Sequence, residues 1–274
     1  MPTDFDCSKL SDADKLLIAK IQDMIEICSK SYKPKYTAFL DQRQCALVES
    51  VLKNNNFEPI AVERSVNIRG YLGLKYFTWG GYEDAGRKIL CIYDEYDTPN
   101  IMEVPIKCLT FYFRRVDKLS HRDFLGAIMA LQVKREAVGD IIVAEGRAQV
   151  FVCDSVSDLL LNEIDKIGKV GVRITDEEKF NLDVQHNFIV IKDTVASLRL
   201  DAMVSSATKQ SRERSAQLIK TGCVSVNYFT TESPSMILKQ GDVFSARGYG
   251  KFVFSEINGT TKKGRIHIEI KKYM

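Results

Sequence analysis

The 274-residue chain sets 39 lysines and arginines against 36 aspartates and glutamates, a formal charge of +3, and 45% of its residues are apolar. This composition excludes a disordered or low-complexity chain, and no apolar run approaches the roughly 20 residues that cross a bilayer. The length favours about two domains, and the N-terminus lacks the charged and apolar regions of a signal peptide.

Residues 12–29 place Leu17, Ile21, Met24, Ile25 and Cys28 on one helical face. A second helix is expected after Tyr36, with Leu40, Leu47, Val48, Val51 and Leu52 as its stripe. Asp41 and Gln44 form its capping box, and Asn54-Asn55-Asn56 ends it. Both stripes are faces that must be buried. Residues 57–63 read as a strand and 64–88 as irregular. Within the latter, Tyr71, Tyr76, Phe77, Trp79 and Tyr82 alternate with Arg69, Lys75, Arg87 and Lys88. Aromatics among cations suit base stacking and phosphate contact; they equally suit a packed seam beneath the next sheet. Residues 88–95 are expected to add a strand at one edge of that sheet.

The order then becomes strand 109–116, helix 122–131, strands 140–144 and 149–153, helix 156–167 and strand 170–175. This is β-α-β-β-α-β, the ferredoxin-like layout that many RNA-recognition domains share. Such sheets stack bases on exposed aromatics of their two central strands. Here the first strand offers Phe111 and Phe113 on one face and Tyr112 on the other, and 149–153 holds only Phe151. The platform is incomplete. His121-Arg122-Asp123 resembles a kinase catalytic loop, but Ile128 stands where that loop needs asparagine. Asp123 or Ser120 is read as a helix cap instead.

Residues 175–185 read as a polar linker, and beyond it the charge changes. Residues 185–274 hold 14 basic and 7 acidic residues, whereas the remainder holds 25 and 29. A near-neutral chain therefore carries a basic C-terminal third, the footprint of a polyanion binder. Leu198, Leu200, Met203 and Val204 form one face of a short helix. Ser211 is the expected N-cap of a second, which runs through Ala216, Leu218 and Ile219 to a C-cap at Gly222. Arg212 and Arg214 fall in its first turn, where the helix end is already partially positive. That placement calls for an anion, and a phosphate held by free N–H groups and guanidinium forks fits. Strands are expected at 224–226, 242–247, 252–257 and 265–271, with a basic turn at 258–264. Arg247-Gly248-Tyr249-Gly250 matches the first four positions of the RNA-recognition signature, after which Lys251 replaces the aromatic.

The seven cysteines are scattered with no C-x-x-C pair and read as small buried hydrophobes in a reducing compartment. The three histidines show no ligand spacing. No metal site and no cofactor are expected, and no nucleophile–base pair stands out.

Arg199-Leu200-Asp201, Ser211-Arg212, Arg214-Ser215, Gln217, Ile219, Gly222, Val224, Val226-Asn227 and Gly241-Asp242 together resemble the S-four RNA-binding domain. That domain recurs in pseudouridine synthases, tyrosyl-tRNA synthetase and a small heat-shock ribosome-rescue protein. Tyr228 departs from it, because many such domains place glycine after the asparagine. Tyr32-Lys33-Pro34-Lys35, Phe39-Leu40-Asp41, Gly80-Gly81-Tyr82, the stretch from His121 to Gly126, Lys134-Arg135-Glu136 and Arg247 to Gly250 resemble the bacterial YlmH family, over nearly the full length. The resemblance implies a cytoplasmic RNA-binding protein of the large ribosomal subunit. It also implies links to stalled peptidyl-tRNA complexes, to ribosome-associated quality control and, by gene neighbourhood, to cell division.

The expected architecture is α+β: an N-terminal helical segment (1–64), a central ferredoxin-like, RNA-recognition-like domain (65–176) and a small α+β S-four-like domain (185–274). The expected function is non-enzymatic binding of structured rRNA and tRNA through Arg199, Lys209, Ser211, Arg212, Arg214, Gln217, Lys220, Asn227, Arg247 and Lys251. Phosphate and shape dominate such recognition, with the large subunit and division proteins as partners and no membrane insertion. Two alternatives stand beside it. One is an RNA-modifying enzyme of the pseudouridine-synthase type, although Asp201 belongs to the module's own helix. The other is a cell-division scaffold whose RNA binding is incidental.

Overall fold

In the computed structural model, which describes residues 10–54, 74–94, 96–184 and 188–273, two units divide the chain at Met1–Asp183 and Val184–Met274. The expected strand at 57–63, with Arg69 and Tyr71, lies outside the described residues.

In the first unit Ser11 caps helix α1 (Asp12–Ser31) by accepting from the Asp14 N–H, and the Asp14 carboxylate accepts in return from Ser11 N. Arg43 grips that carboxylate with two bonds of 2.6 and 2.7 Å and so ties α1 to α2 (Gln42–Asn54). The Asp41–Gln44 box opens α2 in both directions, at 2.9 and 2.8 Å. The two apolar stripes meet: Ile21 and Cys28 pack with Leu40, Val48 and Leu52 against Tyr76, Leu90 and Ile92. Those last three belong to a small antiparallel sheet of β1 (Lys35–Tyr36), β2 (Lys75–Trp79) and β3 (Ile89–Tyr93), ordered β1-β3-β2. Two expectations change here. Residues 75–79 form a strand within the stretch read as irregular, and 89–93 is the middle of a separate sheet, not an edge of the next one.

The second sheet of this unit contains β4 (Ile106–Tyr112), β5 (Val138–Ala144), β6 (Arg147–Cys153) and β9 (Arg173–Thr175), in the order β5-β6-β4-β9 with every pairing antiparallel. Helices α3 (His121–Ala130) and α4 (Asp154–Glu163) complete the β-α-β-β-α-β order, and a short hairpin of β7 (Lys166–Ile167) and β8 (Val170–Gly171) precedes β9. One face is sealed by the helices, with Leu109, Phe111 and Val150 against Phe124, Ile128 and Leu160. The opposite face is where an RNA-recognition sheet would stack bases, and here its own chain covers it. Phe151 is 1% exposed and packs with Phe39, Ile89 and Tyr93 of the first sheet region, with Tyr82 at 5.3 Å and with Phe180 at 5.1 Å.

Phe180 belongs to the stretch expected to be a linker. Gln149, fully buried, holds that stretch down: its Oε1 accepts from Asn181 N at 3.1 Å and Leu182 N at 3.2 Å, and its Nε2 donates to Lys179 O at 3.2 Å. Residues 179–182 are thus strapped across the sheet. Burial pushes the thiols of Cys28, Cys45 and Cys108 up to about 11, about 12 and about 12, so they stay protonated at neutral pH and pack as apolar groups.

The second unit is a six-stranded antiparallel sheet with two helices. Its elements are β10 (Phe188–Val195), α5 (Leu200–Thr208), α6 (Arg212–Lys220), β11 (Val224–Val226), β12 (Phe229–Thr230), β13 (Val243–Ala246), β14 (Gly250–Thr260) and β15 (Ile266–Tyr273). The sheet order is β10-β15-β14-β13-β11-β12. Leu200, Met203, Val204 and Ile219 from the helices bury Phe244, Phe252, Phe254, Ile268 and Ile270. β14 continues to Thr260, through residues expected to lie in a turn, with register shifts after Phe254 and Ile257. No described helix is long and apolar enough to cross a membrane. Among the described residues no group of three or more His, Cys, Asp or Glu is placed to hold a metal ion.

Candidate nucleic-acid interface

Helices α5 and α6 pack side by side because each offers a short apolar face to the sheet and a polar turn joins them. Lys209 ends α5 in the left-handed conformation at φ 58°, and Ser205 Oγ donates to Gln210 O at 2.7 Å across the turn. Ser211 then caps α6 as expected, accepting from Arg214 N at 3.2 Å. Ser215 and Ile219, four residues apart, face inward and are buried. Arg212, Glu213, Arg214, Gln217 and Lys220 are left exposed on the outer side.

The anion that Arg212 calls for is inside the protein. Asp201 accepts from Arg212 Nη2 at 3.1 and 3.0 Å and from Arg199 Nε and Nη2 at 3.3 Å each. Burial raises the carboxyl pKa, but the two guanidinium groups outweigh it and hold Asp201 below the usual range. The reading that an external phosphate must complete the first turn of α6 is corrected on this point. Two cations share one carboxylate, so the cluster keeps a net positive charge at the surface, with the Arg212 side chain 53% exposed. Arg214 turns the other way and donates to Gln217 Oε1 at 3.0 Å.

The remaining sequence-derived positions fall elsewhere in the unit. Asn227 and Tyr228 are the two central residues of the β11–β12 hairpin, with φ of 47° and 71°. Positive φ at both positions is the type I′ pattern, so the turn keeps its shape with tyrosine where glycine is favoured. The Asn227 amide is committed to it: Nδ2 donates to Asp242 Oδ1 at 2.9 Å, and Oδ1 accepts from Val243 N at 3.0 Å. Lys251 lies over the Tyr228 and Tyr273 rings, 4.9 and 4.8 Å from their centres, and its burial lowers its pKa. Lys209 Nζ is 4.0 Å from Asp193 Oδ2. Arg247 is exposed on the β13–β14 turn, whose backbone donates to Cys223 O just beyond α6, and a shallow cleft of about 350 Å³ opens there between Gly222, Ser225, Ser245 and Gly248.

The ten positions therefore do not converge on one point. Arg199, Ser211 and Arg212 gather at the start of α6, Lys209 ends α5 just before it, Arg214 and Gln217 run along the outer face of α6, and Lys220 and Arg247 lie at or beyond its far end. Asn227 and Lys251 are held within the unit's own framework. Sequence reading passed over Asp201 as a partner and the two tyrosines around Lys251. The Arg-Leu-Asp spacing was the available signal for the first.

In the first unit Tyr112 has arginines 147 and 173 at 5.7 and 5.1 Å from its ring centre, and its hydroxyl donates to Glu178. The Asp123 carboxylate accepts from Ser120 N and Oγ at 2.7 Å each, the capping role expected for it.

Two family descriptions match the chain: "Putative RNA-binding domain in YlmH" over residues 106–181 and "S4 domain" over residues 198–244. The first spans the sheet from β4 to the strap, and the second runs from α5 into β13. A solved structure, the cell division protein ylmH from Streptococcus pneumoniae, is 23% identical with a TM-score of 0.48, covering 62% of this chain and 93% of its own. The Bacillus subtilis (strain 168) ribosome-associated protein quality control protein P2 is 31% identical over 263 residues, covering 94% of this chain and 95% of that protein. With both domains in place and a full-length relative at that identity, the chain belongs to the YlmH family of RNA-binding proteins with a C-terminal S-four domain.

Proposed function

We propose that this protein binds structured rRNA and tRNA on the large ribosomal subunit, in quality control of stalled peptidyl-tRNA complexes, and performs no chemistry on them. Of the three parts of the chain, 1–64, 65–176 and 185–274, the last does the gripping. The observation that carries this reading is the outer face of α6. Arg214, Lys220 and, on the neighbouring turn, Arg247 are exposed cations with no carboxylate partner among the described residues. The Arg199–Asp201–Arg212 cluster adds net positive charge at the same helix. Exposed guanidinium and ammonium groups on a rigid helix suit phosphate contact. The name of the Bacillus relative supports the ribosome as the place, and a cytoplasmic location goes with it.

Sedimentation with purified ribosomal subunits at graded potassium chloride tests this. The protein is expected to travel with the large subunit and to be released by salt with a log–log slope of roughly −3 to −5, the value for about four to six phosphate contacts. Arg214→Ala, Lys220→Ala and Arg247→Ala together should flatten that slope by roughly 2 to 3. Failure to bind either subunit or tRNA would overturn the reading. A modified nucleoside appearing in RNA only after incubation with the protein would overturn its non-catalytic part.

A further inference from the structure

Where β5 begins in the first unit, two arginines share one carbonyl. Arg87 Nε and Arg135 Nη1 donate to Val138 O at 3.0 and 2.5 Å, so the two nitrogens lie no farther apart than those bonds laid end to end. Arg87 Nη2 also donates to Phe39 O at 3.0 Å, which fixes its fork. Like charges this close repel. The carboxylate within reach, Asp140, already accepts on Oδ2 from Tyr82 OH at 2.7 Å and from Gly86 N at 2.6 Å. Asp140 sits where the β5–β6 register slips between Val138 and Ile141, and such bulges commonly re-aim side chains beside binding sites. Burial and the Arg87 charge lower the Arg135 pKa, and burial and the Arg135 charge lower that of His121, the first residue of α3, in both cases outweighing the opposing Asp140 carboxylate. Arg135 has one side-chain hydrogen bond and no ion pair among the described residues.

We propose that Arg87 and Arg135, with the exposed His121 beside them, form a second phosphate-binding point, for the backbone of RNA, in the first unit. Planar forks match the paired non-bridging oxygens of a phosphodiester. Arg122 and Lys134, each next in sequence to a member of the cluster, are exposed and favour a polyanion over a lone carboxylate. The site rests on the RNA-binding reading above and lies outside the S-four domain.

The test uses the full chain and fluorescently labelled bulk tRNA. Arg135→Gln is expected to weaken binding roughly three- to tenfold and to lower the salt slope by about 0.9, the value for one phosphate. The α6 triple variant serves as the control for the other site. If wild type binds, the triple variant binds less and Arg135→Gln binds as wild type, the second site is wrong and the first reading stands. If wild type does not bind, both fall. Because Arg135 touches the backbone, a readout on the unaltered protein accompanies it: modification of arginines by phenylglyoxal, mapped by peptide mass spectrometry. Bound tRNA should protect Arg135 and Arg87. Protection of Arg214 with full reactivity at Arg135 overturns the proposal.

Discussion

Arg212 lays one guanidinium nitrogen across both oxygens of Asp201, at 3.1 and 3.0 Å, from eleven residues farther along the chain. This contact ties the first turn of α6 to the first turn of α5, and Arg199 holds the same carboxylate from its other side in sequence. Arg212 is therefore part of the framework as well as part of the charged surface.

Asp201→Asn should leave two guanidinium groups without their anion and cost about 1–3 kcal/mol of stability. The double variant with Arg212→Ala should lose less than the sum of the singles, with a coupling of roughly 0.5–3 kcal/mol. Thermal or urea melts of the four proteins measure this. Additive losses would mean that the pair does not act together.

Asp14 gives a dependence on pH. Its bonds to Arg43, and then those to Ser11, hold its carboxyl well below the usual carboxylate range against the opposing effect of burial. A folded-state pKa that is depressed contributes stability above the unfolded value of roughly 3.9, and that contribution is lost as pH falls through the folded value. Wild type should exceed Asp14→Asn by about 1–3 kcal/mol from roughly pH 5 upward, the range being discounted because Arg43 is partly exposed. The gap should shrink below about pH 4. A gap that widens with acid would contradict the assignment.

Asn227 separates a framework role from an RNA contact. Asn227→Ala removes its bonds to Asp242 and Val243 and places alanine at positive φ, with a cost of about 1–3 kcal/mol. The salt slope of RNA binding, measured well below the melting temperature, should stay unchanged. A slope lower by about 0.9 would mean that Asn227 reaches a phosphate itself.

Gly139 leaves room for the Phe39 ring to pack beside Phe151. A Cβ there would meet Phe39 ring carbons at 2.6 and 2.7 Å and Phe151 Cβ at 3.1 Å. Gly139→Ala is expected to destabilise by about 1–3 kcal/mol through overpacking. The melting temperature and the near-ultraviolet circular dichroism of the surrounding aromatics read this out, and a melt matching wild type would show that the seam can relax.

Elements whose cause is local were legible in the sequence. The stripes of α1 and α2, the Asp41–Gln44 box, the Ser211 cap and the β-α-β-β-α-β order follow from periodicity and hydrogen-bonding side chains a few residues apart. What remained hidden depends on partners far along the chain. Among the described residues β10 pairs only with β15, from Phe188↔Tyr273 to Val195↔Ile266, and its burial does not alternate cleanly. The strap offers only Phe180 and Leu182 among polar neighbours, and a buried glutamine far away in sequence holds it. The same limit hid Asp201, since only the turn between two helices brings it to Arg212. Residues 75–79 and 89–93 looked like the fringe of the central sheet because aromatic content does not reveal which sheet a strand joins.

The covered face around Phe151 also bears on how this protein can be cut and recombined. A fragment that kept β4–β9 but lost residues 10–94, or lost the strap, would bare an aromatic wall formed by Phe151 and its neighbours, and such fragments are expected to self-associate. Separation next to Asp183 follows the boundary between the two units instead. That boundary is where a gene fusion can transplant the unit that carries the S-four domain while leaving the donor's remaining core whole.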